Sequence, residues 1–278
     1  LSQSPAFVGN NLLFANSKFN KFTSLLFYNQ QSIFLKGSEF RNGINGIIIK
    51  ESENTGKYFV QTSFNNNNFT SQFSAKIKEF HDCSISIIDC SFLDLSNQQG
   101  NLILINDKSL SIYMTDNIFY NCISSQGAVR LQSCRCVTLT HTCSLESKSE
   151  SQYIFYYYDC VADDFSIFLY STIANSKCIG SDDNDVYASF CKSGNQYSRC
   201  NNYTSTTNGI HYEAPLCFSF AMNTVIDCKH TCFKFSGDCS DFKPKEIQMV
   251  NFVSSNGRAI RISSKCNQKL RYDYCNYF

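Results

Sequence analysis

The sequence predicts an all-β chain, a right-handed parallel β-helix (solenoid) of about ten coils. Three observations carry this expectation: an apolar anchor that returns at a nearly constant interval, short alternating stretches beside each anchor, and no helical pattern of useful length between them. The anchors are Phe19, Phe40, Phe64, Phe92, Phe119, Leu145, Ile173, Tyr203, Val225 and Phe252. They recur about every 21 to 30 residues, the period of a chain built from stacked units.

The parts of each unit follow in a fixed order. Before the anchor lies an alternating stretch, as in Ile85-Ser86-Ile87, Leu110-Ser111-Ile112, Val137-Thr138-Leu139, Ile167-Phe168-Leu169 and Phe218-Ser219-Phe220. Alternation of this kind reads as a strand with one buried face. Two residues after the anchor stands a small polar side chain: Asn42, Asn66, Asp94, Asn121, Asn175 or Asp227. Asn and Asp tolerate left-handed backbone geometry and bond their own main chain, so these positions read as corners. A further strand follows, often opened by glycine, at Gly46-Ile47-Ile48, Gly100-Asn101-Leu102, Gly127-Ala128-Val129 and Gly257-Arg258-Ala259.

Strands this short, separated by corners, suit coils stacked strand upon strand. At about 4.8 Å per coil, ten coils would make a rod roughly 48 Å long. A β-sandwich also accommodates many short strands. It does not account for the fixed order of strand, anchor, polar corner, glycine and strand.

The repeats run almost the length of the 278 residues without a Pro- or Ser-rich linker, which favours one elongated domain over residues 1–278, with 1–30 and 267–278 as end segments. A net charge of +1 and the lack of a long basic run argue against nucleic acid as a partner. No apolar run approaches the ~20 residues a membrane-spanning helix needs. Sixteen cysteines between Cys83 and Cys275 imply an oxidising compartment. The sequons at Asn68 and Asn202 predict glycosylation and agree with that compartment. A first residue Leu1 fits a chain from which a signal peptide has been removed. The expected location is therefore secreted or at the cell surface.

Laid side by side, two units are informative. Asn117-Ile118-Phe119-Tyr120-Asn121-Cys122 precedes Gly127-Ala128-Val129, and Ser38-Glu39-Phe40-Arg41-Asn42 precedes Gly46-Ile47-Ile48. These segments resemble the polymorphic membrane protein repeat, in which Phe and Asn stand close together ahead of a glycine-led strand. The similarity covers roughly residues 15 to 262. It implies a right-handed β-helical scaffold on a cell surface, adhesive in character, and carries over no catalytic residue.

Four groups of residues invite a chemical reading. Asp182, Asp183 and Asp185, with Asp163 and Asp164 about one coil earlier, suggest either a carboxylate pair for glycoside cleavage or an oxygen-lined calcium site. Solvated corners, where Asp and Asn supply turn geometry, account for them more simply. His230 lies between Cys228 and Cys232, with Cys239 beyond, and such residues can ligate zinc. In a chain this rich in cysteine, disulfides are the better account. Bridges between neighbouring coils are expected, Cys134 with Cys160 and Cys191 with Cys217 being the pairs their spacing suggests. Tyr153 to Tyr158 reads as a strand with half its rings in the core, or as a platform for sugar stacking. No cysteine has the setting of a nucleophile. No catalytic, cofactor-binding or metal-binding residue is assigned.

The expected function is that of a secreted or cell-surface structural protein, a disulfide-rich building block of an extracellular fibre, coat or adhesive layer. Its partners would be further copies of itself, other matrix or surface proteins, and glycans. The alternatives are a polysaccharide lyase or glycoside hydrolase of β-helix fold and a glycan-binding module.

Overall fold

The computed structural model describes residues 7–20, 27–41, 48–50, 57–60, 63–65, 73–75, 84–97, 101–106, 111–132, 134–150, 153–159, 165–179, 187–192, 195–204, 206–215, 217–236, 245–248, 250–254, 260–262, 271–273 and 276–277. Among them are 35 short β-strands and no helix. One coil shows the plan. Ser84–Ile88 lies in a long sheet, Ser91–Leu93 in an anchor sheet, Ser96–Asn97 in a short sheet and Ile103–Asn106 in a fourth sheet, after which Ser111–Thr115 returns to the long sheet. These four sheets contain twelve, eleven, four and eight strands, so four coils carry all four faces.

Strands of successive coils pair in parallel, each beside its equivalent one turn away. The chain is a parallel β-solenoid, as the repeat predicts, and a sandwich of antiparallel sheets is excluded by that pairing.

Among the described residues, one or two corners of a coil take left-handed backbone. Asp89, Asp116, His141, Tyr170, Cys200 and Met222 turn the chain from the long sheet into the anchor sheet, with φ between 47° and 57°. Asp94, Asn121, Glu146 and Asn175 turn it again after the anchor strand, with φ from 49° to 56°. The two corners stand five residues apart in Asp89/Asp94, Asp116/Asn121, His141/Glu146 and Tyr170/Asn175. A side chain other than glycine at such a φ costs about 1 kcal/mol or more. Hydrogen bonds between coils offset that cost. The Asp116 N–H donates to the Thr140 carbonyl (3.2 Å), Asn121 to Leu145 (3.0 Å) and Tyr170 to Arg199 (3.1 Å).

The polar corners expected at Asp94, Asn121, Asn175 and Asp227 all have positive φ. Asn42 and Asn66 lie outside the described residues, as do Gly46, Gly100 and Gly257. Gly127 sits at φ 89°, and a Cβ there would strike the Tyr153 ring, so glycine is required where this strand opens.

The anchors stack in register: Phe19 on Phe40, Phe40 on Phe64, Phe64 on Phe92, Phe92 on Phe119, Ile173 on Tyr203, Tyr203 on Val225 and Val225 on Phe252. Phe92, Phe119, Ile173, Tyr203, Val225 and Phe252 are buried. The rings of Phe92 and Phe119 stack at 4.4 Å, 6° from parallel. One expected anchor is displaced. The row passes through Ser144, which pairs with Phe119 and Ile173, and Leu145 lies half-buried beside it. The cause is the corner, since each anchor follows the first left-handed residue by three positions and His141 therefore selects Ser144. Ser144 exchanges a hydrogen bond with Ser147 at 3.0 Å. Phe155 supplies bulk here from the fourth sheet, its ring edge-on to Phe119 at 5.1 Å.

Candidate functional site

The residue after the first corner points inward in every described coil from Cys90 to Asn223, giving a buried column of Cys90, Asn117, Thr142, Ser171, Asn201 and Asn223. Four members accept from a corner amide of the preceding coil, while the Cys90 thiol and the Thr142 hydroxyl donate to the Ile88 and Thr140 carbonyls of their own coil (3.3 and 3.2 Å). Asn117 Oδ1 accepts from the Cys90 N–H (3.1 Å), Ser171 Oγ from Thr142 (3.0 Å), Asn201 Oδ1 from Ser171 (2.9 Å) and Asn223 Oδ1 from Asn201 (2.9 Å). The amide groups also donate back, Asn117 Nδ2 to the Ile87 carbonyl and Asn201 Nδ2 to that of Phe168. Corner amides that turn away from the sheet ladders are thereby satisfied inside the rod. This column is structural: it is buried and every polar group in it faces the backbone.

Surface chemistry lies on the outward-facing positions. On the long sheet one outward row reads Ser86, Tyr113, Thr138, Ile167, Tyr197 and Ser219, flanked by Thr115, Thr140, Leu169 and Arg199. Tyr113, Phe165, Tyr170 and Tyr197 are exposed, and the His141 and Tyr170 rings stack at 5.2 Å along the corner. Arg199 is the sole charged residue among the strand positions just named. Flat rings among hydroxyls and few charges make a surface suited to stacking against another flat partner.

The fourth sheet is different. Gln132, Asp159, Lys192, Glu213 and Ser236 form one outward row, and Lys234 and Arg261 are neighbours in the next. Lys192 Nζ lies 3.5 Å from Glu213 Oε1, both side chains well exposed. Such a pair contributes at most ~1 kcal/mol. Asp159 and Glu213 are two coils apart, about 9.6 Å by strand spacing, with a lysine between them. That row puts carboxylates and a cation on one face. His211, buried beside this row, approaches Ser236 Oγ at 2.6 Å through Nε2 and packs 5.0 Å from the Tyr187 ring.

The cysteines occupy varied settings. Cys134 is buried and approaches the Gln132 carbonyl at 3.5 Å. Register places Cys191 beside Tyr158 and Tyr212, and Cys217 beside Asn195. Cys160 and Cys239 lie outside the described residues. The Cys122 thiol donates to the Phe92 and Tyr120 carbonyls (3.4 and 3.6 Å), and burial pushes it up to about 12. Cys228 and Cys232 are both buried; Cys228 Sγ lies 3.4 Å from Thr206 Oγ1, and the Cys232 thiol donates to the Val253 carbonyl at 3.3 Å.

In the aromatic run, Tyr153, Phe155, Tyr156 and Tyr158 are buried, which makes those rings core and removes them from any sugar platform. Exposed aromatics arise instead at Tyr113, Tyr120, Phe165, Tyr170 and Tyr197, scattered through the sequence. Asn202 is exposed on the anchor sheet, its Oδ1 accepting from the Thr204 hydroxyl at 2.8 Å. Asn68 and both acidic clusters, 163–164 and 181–185, lie outside the described residues. Among the described residues no group of three or more His, Cys, Asp or Glu is placed to hold a metal ion, and no helix is long and apolar enough to cross a membrane. Comparison with family models, with curated proteins and with solved structures finds no match.

Proposed function

We propose that this chain is a structural β-solenoid of the cell exterior, of the polymorphic membrane protein repeat type, that holds flat outer faces for contact with neighbouring molecules. The observation that carries this reading is the division of labour within each coil. Inward positions are occupied by stacked anchors and a hydrogen-bonded corner column, and the outward positions of the long sheet carry exposed Tyr and Phe among hydroxyls. Such an arrangement invests the sequence in a rigid extended surface.

The partners proposed are further copies of the chain and extracellular proteins or glycans. Self-association is supported by two strands of the long sheet. Among the described residues Phe7–Ala15 and Arg271–Asp273 each pair with a single neighbouring strand, and an edge of this kind accepts another strand. Leu13 in the first of them is 70% exposed.

Two measurements test the proposal. Labelling of intact source cells with a membrane-impermeant reagent is expected to modify the native protein; modification only after lysis overturns the exterior placement. Light scattering of the purified chain is expected to show assemblies that shrink when residues 270–278 are deleted. A monodisperse monomer at high concentration, unaltered by the deletion, overturns self-association.

A polysaccharide-acting enzyme is the second reading, favoured by the Asp159, Lys192 and Glu213 row alone. Depolymerisation of any acidic or neutral polysaccharide that is lost in Glu213→Gln would establish it.

A further inference from the structure

We propose that Cys200 Sγ and Met222 Sδ form a surface site for a soft monovalent metal ion, copper(I). The two residues are successive first corners of the rod, both left-handed, at φ 57° and 53°. The Cys200 N–H donates to the Ala221 carbonyl (3.2 Å) and the Met222 N–H to that of Gln248 (2.9 Å), so each backbone is pinned to the coil that follows it. Side chains launched alike from corners about 4.8 Å apart bring their sulfurs together. Cys200 Sγ lies 3.9 Å from Met222 Sδ. Cys200 is half-buried and Met222 is exposed, so the pair opens to solvent.

That separation fits one shared ion. With metal–sulfur bonds of about 2.3 Å, sulfurs 3.9 Å apart subtend about 116° at the metal, near the trigonal angle, and leave a third position open to solvent. Thiolate and thioether together are the donors that select copper(I). Among the described residues no three His, Cys, Asp or Glu side chains gather to hold a metal, so harder ions find no donor set here. Arg199 sets the charge. Its Nε and Nη2 each lie 3.4 Å from Met222 Sδ, which shows that the thioether lone pairs face outward. A guanidinium this close penalises a divalent ion, whereas a monovalent ion on a thiolate adds no net charge.

Binding exchanges a proton for the ion. The Cys200 thiol gives its proton to water and bonds copper(I) through sulfur, Met222 Sδ donates a lone pair to the same ion, and no electron is transferred. Arg199 turns its N–H groups to water as that lone pair is taken up. Two other half-exposed thiols provide a comparison within the chain. Register places Cys143 between Ile118 and Thr172, and Cys178 beside Ser149, so neither has a thioether opposite it in these pairings. The inference stands on the geometry of this corner and is independent of where the protein resides.

The native full chain, reduced and kept free of oxygen, is given one equivalent of copper(I), pulse-alkylated and mapped by mass spectrometry. Cys200 is expected to react at least about tenfold more slowly than without the metal, because a metal-bound sulfur is no longer a free nucleophile, while Cys143 and Cys178 change little. In a chain labelled at the methyl carbons of its three methionines, the Met222 resonance is expected to move with the same equivalent. Met222→Leu, with its circular dichroism unaltered, is expected to restore alkylation of Cys200. A Met222 resonance that stays in place, protection of Cys200 that persists in Met222→Leu, or copper(I) that goes first to another cysteine overturns the two-sulfur site. Equal protection by one equivalent of zinc(II) overturns the preference for a soft monovalent ion.

Discussion

The side-chain oxygen of Asn223 accepts two hydrogen bonds from Asn201, one coil below it: one from the backbone N–H at 2.9 Å and one from the side-chain amide at 3.1 Å. Asn223 Nδ2 in turn donates to the Ser198 carbonyl at 3.0 Å. A single buried amide therefore satisfies three groups around one corner. Asn223→Ala is expected to lower stability by about 3 kcal/mol, since a buried donor left without a partner costs its full desolvation. Denaturant unfolding measures it; a loss below ~1 kcal/mol would mean water replaces the side chain.

The displaced anchor makes the register testable. Phe119→Ala removes a ring between Phe92 and Phe155 and is expected to cost about 3 to 5 kcal/mol. Leu145→Ala, at a half-buried outward position, is expected to cost clearly less. Equal shifts in thermal unfolding would place Leu145, and not Ser144, in the anchor row.

Gly127→Ala brings together two penalties, a φ of 89° and a methyl group against the Tyr153 ring. A loss of about 2 kcal/mol or more is expected. In a Tyr153→Ala background the cost of Gly127→Ala should fall to its backbone part alone, and no cost there in unfolding experiments would show that the backbone conformation is unstrained.

Alkaline pH is expected to unfold the chain. Burial pushes the Tyr203 and Tyr212 phenols above the ordinary value of 10.0. Folding thus favours their neutral forms, so this contribution is complete below about pH 10 and is lost as pH rises toward the native values. Phenolate absorbance of these residues should appear together with loss of the β-sheet circular dichroism signal. Early, reversible ionisation of every tyrosine at native ellipticity would contradict it. Exposed Tyr120 is also raised, by the negative charge of the nearby Glu146 carboxylate, and Glu146→Gln should bring it back toward its usual value without unfolding.

Much of this architecture is visible in one dimension because the period-two alternation and the anchor interval are local patterns of apolar residues. Corners after the anchor are legible where Asn or Asp occupies them, at Asp94, Asn121 and Asn175. Glu146 and the earlier corners His141, Tyr170, Cys200 and Met222 are not, because backbone pairing between coils imposes their left-handed geometry against residue preference. That is why Leu145 reads as an anchor. The corner column is legible only afterwards: Asn117, Ser171, Asn201 and Asn223 share a position relative to the corner, and the corner has to be placed first. Exposed rings such as Tyr113 and Tyr197 are three coils apart in space and carry no common motif.

The five-residue interval between corners has a consequence for how such a chain can change over time. From one first corner to the next the chain takes 25 residues between Asp116 and His141, 30 between Tyr170 and Cys200, and 22 between Cys200 and Met222. In the coils that begin at Asp116 and Tyr170 the interval between the two corners is the same five residues, so the difference between them is absorbed on the far side of the coil, toward the fourth sheet. One flank of the rod behaves as a ruler and the opposite flank as a margin. Insertions and deletions can accumulate in that margin, altering what the molecule displays, while the ruled flank keeps every coil in step.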